Sequence, residues 1–416
     1  MKNKIIYITL IIVLIQIIQI IPIINIINIY VYASTDINIT NEDNVDIDNI
    51  MQNNKIDIDT NTIDEQKELF GITDFVKEAE KYSGDFFEDI DVTETLSQAI
   101  TGKINNNKIY KTTLNILGKE VKSSITTLIS ILIIIVIHSI LKSISDSLED
   151  DSISKIIYYV QYILIVTIAM SNFGQIIELV RETTRNLVGF MNSLIPILIV
   201  LMTYTGTAIT SNLVQPVLLF MINFIGNVIQ NVLIPIVLVV TVLAIVSKIS
   251  ERAQIVKITK FLKSSVTWFL GVILTLFVGV LSLEGTLTSS VDGITAKTTK
   301  AAVSSLIPVV GKILGDTVDS VLGCGVILKN AVGVVGVIVI IGICVIPIIK
   351  LGTLSIIYNL ASGIIEPIAD EKIVKLLEEM GGIFKLLFGI VCALSVLLII
   401  GITLVVKISN SGMMYR

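Results

Sequence analysis

The sequence predicts an all-α protein, a polytopic bundle of about eight transmembrane helices behind an N-terminal acidic extracytoplasmic region. Three observations predict it. Of 416 residues, 53% are apolar and only 16% charged, against about 45–50% and about 25% in soluble globular chains. The mean hydropathy is +0.87. Runs such as 125–137 and 386–406 have the length and purity that hydrocarbon demands. A soluble enzyme and a disordered chain are both excluded as descriptions of the whole.

The first element is a leader. Lys2 and Lys4 precede an apolar stretch over 5–31, and Val31-Tyr32-Ala33 places small residues before a cut. This is the pattern of a signal peptide over 1–33, cleaved after Ala33. Its apolar middle is long, which leaves an uncleaved anchor as the alternative. Either way the next segment is expected outside the cytoplasm.

Residues 34–100 hold 18 acids and 4 lysines, while the whole chain carries −5. The first part, 34–63, is Asn/Asp/Ile-rich with little core potential and reads as a flexible arm. From Asp64 the pattern turns helical, with Leu69, Phe70, Phe75, Val76, Phe86, Phe87 and Leu96 as packing faces. The acidic extracytoplasmic region is therefore 34–118, either a solvating spacer or a partner-docking module. A membrane domain over 119–409 and a tail over 410–416 follow.

About 20 apolar residues span a bilayer. On that ruler the candidate spans are 124–141, 156–173, 187–208, 213–230, 232–247, 266–283, 331–349 and 384–406; 303–322 is amphipathic and 351–365 apolar but short. The connection 248–263 holds five basic residues and one acid, which the positive-inside rule places in the cytoplasm. Counting back through five spans puts residue 124 outside, in agreement with the leader. Residues 284–302 are then outside as well.

Four prolines recur in one context: Leu194-Ile195-Pro196, Leu233-Ile234-Pro235, Leu306-Ile307-Pro308 and Val345-Ile346-Pro347. The members of each pair are 39 residues apart, and a shift of 112 lays the first pair on the second. The run from Lys257 to Leu262 then aligns with the run from Lys372 to Leu377. An internal repeat of 181–283 with 293–406 follows, with the prolines as candidate helix breaks, an architecture that transporters use. Tolerated kinks in ordinary spans are the simpler alternative.

Two polar stripes stand out. At 100° per residue, Lys312, Asp316 and Asp319 share a face of about 80° with Pro308 and Gly323. That stripe lines a cavity or pore, or belongs to an amphipathic helix on the outer surface. Asn223, Asn227 and Gln230 share a second face with Asn212 and Pro216; amides in a span bond across helices or line a hydrophilic path. These six polar residues are the candidate pathway.

No catalytic, cofactor or metal site is encoded. The single His138 cannot build a zinc site, and Cys324, Cys344 and Cys392 have no ligand spacing. No phosphate-binding glycine loop ends in Gly-Lys-Ser/Thr. Asp316 and Asp319 lie on one helix, whereas intramembrane aspartyl proteolysis needs two aspartates from separate helices. Membrane lipid is the expected environment, nucleic acid is not an expected partner, and self-association is left open.

The run Leu306-Ile307-Pro308-Val309-Val310-Gly311, then Asp316 through Gly323, then Leu328-Lys329-Asn330-Ala331-Val332-Gly333 resembles the stage III sporulation protein AE family of endospore-forming Firmicutes. Tyr358-Asn359-Leu360 and Glu366-Pro367-Ile368-Ala369-Asp370 continue the likeness, which covers roughly 120–410. The resemblance implies a non-enzymatic membrane component of a sporulation-specific channel, feeding-tube or secretion complex joining mother cell and forespore. It implies a place in the outer forespore membrane, with other stage III sporulation proteins of the AA–AH set and stage II sporulation protein Q as partners. A scaffold for ring-forming partners is the alternative within that class, and a stand-alone secondary transporter the alternative outside it. The family's AA member resembles a secretion ATPase, which fits a chain with no nucleotide site of its own.

Overall fold

The computed structural model describes the backbone of residues 72–83, 91–100, 106–147, 151–205, 207–250, 253–306 and 310–414. It describes the side chains over most of that length, those of 284–324, of His138 and of the outermost turns of several helices excepted. The leader, the arm over 34–63 and Pro308 lie outside the described residues. Every regular element described is helical: α1 (Ile72–Ser83), α2 (Val92–Ile100), α3 (Asn106–Ser147), α4 (Asp151–Tyr204), α5 (Ala208–Val228), a π-helical turn (Ile229–Leu233), α6 (Ile234–Ser250), α7 (Ala253–Leu306), α8 (Val310–Ile365) and α9 (Glu371–Met414).

Among the described residues six stretches, not eight, are long and apolar enough to cross a membrane: Lys111–Ile137, Tyr158–Tyr204, Ala208–Lys248, Gln254–Leu283, Gly325–Ile365 and Glu371–Lys407. The expected spans 156–173 and 187–208 are one helix, as are 213–230 and 232–247, and 331–349 with 351–365. A hydropathy window reads Glu178, Arg181, Glu182 and Arg185, or Lys350, as the end of a span. The backbone has no reason to stop there, since none of these residues lacks an N–H or favours a non-helical conformation. Residues 284–302 likewise continue α7 as helix.

The candidate helix breaks divide accordingly. Pro196 and Pro347 lie inside the uninterrupted helices α4 and α8. Pro235 does disturb its helix. It has no N–H for the carbonyl four residues back, and the turn before it is π-helical, the Ile234 N–H bonding to the Ile229 carbonyl. The two halves of the suspected repeat differ in build. The first is broken between α4 and α5, whereas α8 runs unbroken through the positions 112 residues later.

α8 is the axis of the bundle. Of its most apolar window 89% is buried, against 18% for that of α3 at the periphery. It pairs with α9 and packs also on α4, α3 and α2. Burial on both faces explains why Gly325–Ile365 is apolar all round and not striped. Phe384 of α9 meets Phe173 of α4 at 6.3 Å and Tyr358 of α8 at 5.1 Å between ring centroids.

Two corners mark the ends of the bundle. At one, the Thr205 and Thr207 hydroxyls each donate to the Met202 carbonyl at 2.8 Å, closing the α4 C-terminus, while Thr203 and Ser211 hydroxyls bond at 2.9 Å across the corner. At the other, Pro367 ends α8, and the Ile368 and Ala369 N–H groups return to the Ile365 carbonyl at 2.9 and 2.8 Å. Near this second corner Tyr162 Oη donates to the Ile245 carbonyl at 2.7 Å, and Lys372 Nζ lies 5.7 Å from the Tyr158 ring centre. Lys263 of α7 pairs with Glu379 of α9, both about three-quarters buried.

α1 and α2 are short and charged, yet they dock on the bundle. Ile72, Phe75, Ala79, Val92 and Leu96 are buried. Asp91 caps α2, its Oδ1 accepting the Thr93 and Glu94 N–H groups at 2.7 and 3.2 Å. Leu69, Phe70, Phe86 and Phe87 lie outside the described residues.

The α8–α9 contact needs a glycine. A Cβ on Gly381 would lie 2.7 Å from Asn359 Nδ2, and Ser355 Oγ already donates to the Gly381 carbonyl at 2.9 Å. Gly363, on the exposed side, has nothing within 4 Å. Gly381→Ala is expected to destabilise by about 1–3 kcal/mol through overpacking. Gly363→Ala is expected to be neutral or stabilising by up to about 1 kcal/mol. Thermal unfolding of the detergent-solubilised chain checks both; equal shifts would contradict the packing described.

Candidate functional site

α4 changes character along its length. Its exposed large side chains are apolar near one end (Ile156, Tyr159, Val160, Ile163, Leu164) and again at the other (Val200, Tyr204). Between Leu164 and Val200 no large apolar side chain of α4 is exposed among the described residues. The exposed positions there are Thr167, Ser171, Gly174, Gln175, Glu178, Glu182 and Arg185. Glu178, Arg181, Arg185 and Asn192 fall within about 60° of one another around the helix. Arg185 Nη1 lies 3.6 Å from Glu178 Oε1, with both side chains about 60% exposed. A pair so open contributes little to stability.

α5 lies antiparallel to this part of α4. Asn192 and Asn223 join them through a reciprocal amide pair, Asn192 Nδ2 to Asn223 Oδ1 at 3.1 Å and Asn223 Nδ2 to Asn192 Oδ1 at 2.9 Å. Asn223 Nδ2 also donates to the Leu219 carbonyl at 2.7 Å. One turn on, Asn231 Nδ2 donates to Asn227 Oδ1. Asn223, Asn227 and Asn231 are exposed and Gln230 is half-buried. The π-helical turn over 229–233 carries Gln230 and Asn231, so the proline that widens the helix also sets the end of the amide face. Close approach of the two helices depends on Gly226, where a Cβ would lie 2.5 Å from Val188 Cγ2.

The candidate polar residues are thus partly brought together. Asn223, Asn227 and Gln230 share one face, as their spacing predicts, and that face is on the outside of the bundle. Lys312, Asp316 and Asp319 are in the first turns of α8 by backbone, and their side chains lie outside the described residues.

Glu178, Arg181, Arg185, Asn192 and Asn231 are additions the sequence reading missed. The signal was there in the spacing of 178, 181, 185 and 192, hidden by treating 174–186 as a connection. A second addition is Lys329 of α8, completely buried and engaged by its neighbours, one turn beyond Gly325 at the α4–α5 corner. A Cβ on Gly325 would lie 3.2 Å from Thr205 Cγ2.

α1 docks beside the polar face. Phe75 meets Phe190 at 6.3 Å, Ser193 Oγ donates to Glu78 Oε2 at 3.3 Å, and Gly189 leaves room for the Tyr82 ring, which a Cβ would approach to 2.8 Å. Lys81 donates to Glu78 Oε2 at 3.2 Å, and this hydrogen bond holds the ammonium pKa above its ordinary value. The middle of α4 therefore meets a charged amphipathic helix on one side and presents its own charges on the next.

Among the described residues every regular element is helical, six stretches are long and apolar, and several buried polar contacts join them, which defines a multi-pass membrane protein. The family profile of stage III sporulation protein AE matches residues 90–409. Stage III sporulation protein AE of Bacillus subtilis (strain 168) is 30% identical over 268 residues, covering 64% of this chain and 67% of that protein. The chain belongs to the stage III sporulation protein AE family. The match begins about thirty residues earlier than the motifs alone implied and takes in α2. No solved structure matches it.

If Gly226 sets the α4–α5 spacing, Gly226→Ala should lower stability by about 1–3 kcal/mol by forcing the helices apart. Val188→Ala, which removes the opposing methyl groups, should recover part of that loss in the double variant. A double-mutant cycle on thermal unfolding in detergent reads the coupling, expected at about 0.5–3 kcal/mol. Additive effects would show that the two residues do not meet.

Proposed function

We propose that the chain is a non-enzymatic, multi-pass component of a sporulation-specific transport or secretion complex between mother cell and forespore. In this reading it sits in the outer forespore membrane. Its partners are other stage III sporulation proteins of the AA–AH set and stage II sporulation protein Q. Family membership supports the sporulation role. The transport role rests on one observation, the exposed amide and charged face halfway along helices that are otherwise apolar. Charged groups in hydrocarbon cost roughly 2.5–3.5 kcal/mol each on insertion scales, so such a face belongs against water or protein. The interior of the bundle is filled with side chains such as Val332, Val335, Val339 and Leu387. A path built on this chain therefore runs along its polar flank.

The docking of α1 and α2 favours a second role, that of a scaffold, because it builds a rigid platform of charged side chains on α4 and α8. Substitution separates the two. Asn223→Leu, Asn227→Leu and Gln230→Leu together should leave the chain in the membrane fraction and lower heat-resistant spore yield by an order of magnitude or more. Full spore yield from the triple variant would remove the polar flank from the function and leave the scaffold. Substrate flux through the chain alone in liposomes would instead indicate a stand-alone transporter.

The proposed topology puts the acidic region outside. Three helices in place of five between 111 and 248 keep the parity, so the basic stretch 248–263 stays cytoplasmic. The corner Thr205–Thr207 then faces outward, and the corner at Glu366–Asp370 faces the cytoplasm. In a variant without native cysteines, expressed in the plasma membrane of non-sporulating cells, Tyr204→Cys at the exposed end of α4 should react with an impermeant maleimide on intact cells, and Asp370→Cys only after permeabilisation. The reverse pattern would invert the proposed topology.

A further inference from the structure

The α4–α5 face combines groups that no single solvent suits. Phe220 and Phe224 stack with ring centroids 6.0 Å apart and planes 16° from parallel, and they are 64% and 50% exposed. Asn223 lies between them in sequence, with Asn227 one turn away, both exposed. Lower on the same flank come Glu178, Arg181, Glu182 and Arg185 of α4. Lipid suits the rings and penalises the charges, whereas water suits the charges and penalises the rings. Only a protein surface with the same order of apolar, amide and charged groups matches all three.

We propose that this face is a self-association surface on which a second copy of the chain packs. Three features favour a copy over any other occupant. The charges are two acids and two bases, so the face is neutral in sum and neither attracts nor repels a partner of one sign. Their signs alternate along the helix, Glu178 before Arg181 and Glu182 before Arg185, with about 4.5 Å of rise within each pair. Two copies in one membrane share an orientation and are related by an axis along its normal, which sets equal heights opposite each other. At equal height the rings meet rings and the amides meet amides; the Asn223 N–H groups are taken by Asn192 and Leu219, so Asn223 offers its oxygen as an acceptor and Asn227 its amide as a donor. Each long acidic side chain then reaches the base one turn away on the other copy. The contact also covers the polar flank and so encloses it between copies. The inference rests on this geometry alone and not on the transport reading, so either can fail without the other.

Cross-linking in membranes containing the full chain tests it. Cys324, Cys344 and Cys392 are replaced by alanine, and a single cysteine is placed at Phe220, Asn223 or Asn227. Controls at Ile133 of α3 and Trp268 of α7, both exposed elsewhere on the bundle, carry the same label. A short bis-maleimide is expected to give dimers from the three face positions and few from the controls. Equal yields at the controls, or adducts of Asn223→Cys with a different protein in place of a copy, would overturn the proposal.

Two differently tagged charge variants in the Asn223→Cys background supply the second arm. Arg181→Glu with Arg185→Glu makes one face wholly acidic, and Glu178→Arg with Glu182→Arg makes the other wholly basic. Each alone should lose about fivefold in cross-link yield through like-charge repulsion, and co-expression should restore the mixed dimer. Failure of the mixture to cross-link, with each variant inserted and as protease-resistant as the parent, would count against the contact.

Discussion

In hydrocarbon a backbone N–H or C=O has no water to turn to, so every one of them must be satisfied within the helix. That constraint governs the rest of this structure. A helix entering such a medium continues until something forces it to stop, and the ordinary polar residues of this chain do not force it. α4 therefore runs 54 residues through Glu178, Arg181, Glu182 and Arg185, a length of about 80 Å against about 30 Å of hydrocarbon. Helices of this length cannot stand upright and be wholly solvated by lipid. They need tilt, projection beyond the bilayer, or protein cover along part of their length.

α4 shows how the chain meets that need. One stretch is apolar where exposed, the middle is polar, and the far end is apolar again. Beside the polar middle, α1 lays Phe75 on Phe190 and places Glu78 against Ser193. An amphipathic helix with Asp74, Lys77 and Lys81 on its surface would not settle on a lipid-bathed site. The polar middle and the docked helix thus support each other, and both mark the point where α4 leaves a purely apolar environment.

The motifs that carry the family likeness acquire distinct physical roles. Glu366-Pro367-Ile368-Ala369-Asp370 is the tight corner between α8 and α9, where the proline ends one helix and the Asp370 carbonyl accepts the first N–H groups of the next. Asn359, in Tyr358-Asn359-Leu360, is the residue against which Gly381 must stay small. Lys329, in the run from Leu328 to Gly333, is completely buried in the axial helix. Chain reversal and helix packing thereby account for two of the five motifs.

Composition and periodicity determined the class: an all-helical membrane protein with its amides at 223, 227 and 230 on one face. Both follow from local rules, hydrocarbon demanding apolar length and the helix placing every third or fourth residue together. The number of helices did not follow. A hydropathy window weighs side chains, while helix continuity is decided by backbone hydrogen bonds, so the charges at 178–185 and Lys350 were read as ends of spans and are not. Nor did the prolines have one meaning. Pro235 widens its helix into a π turn, whereas Pro196 and Pro347 lie in helices that do not break. Only the tertiary structure decided that Asn192 pairs with Asn223 across 31 residues, and that the shared polar face points out of the bundle and not into it. The reason is that a helix face acquires an inside and an outside only when other helices pack, and here the Gly325–Ile365 stretch of α8, apolar all round, took the centre.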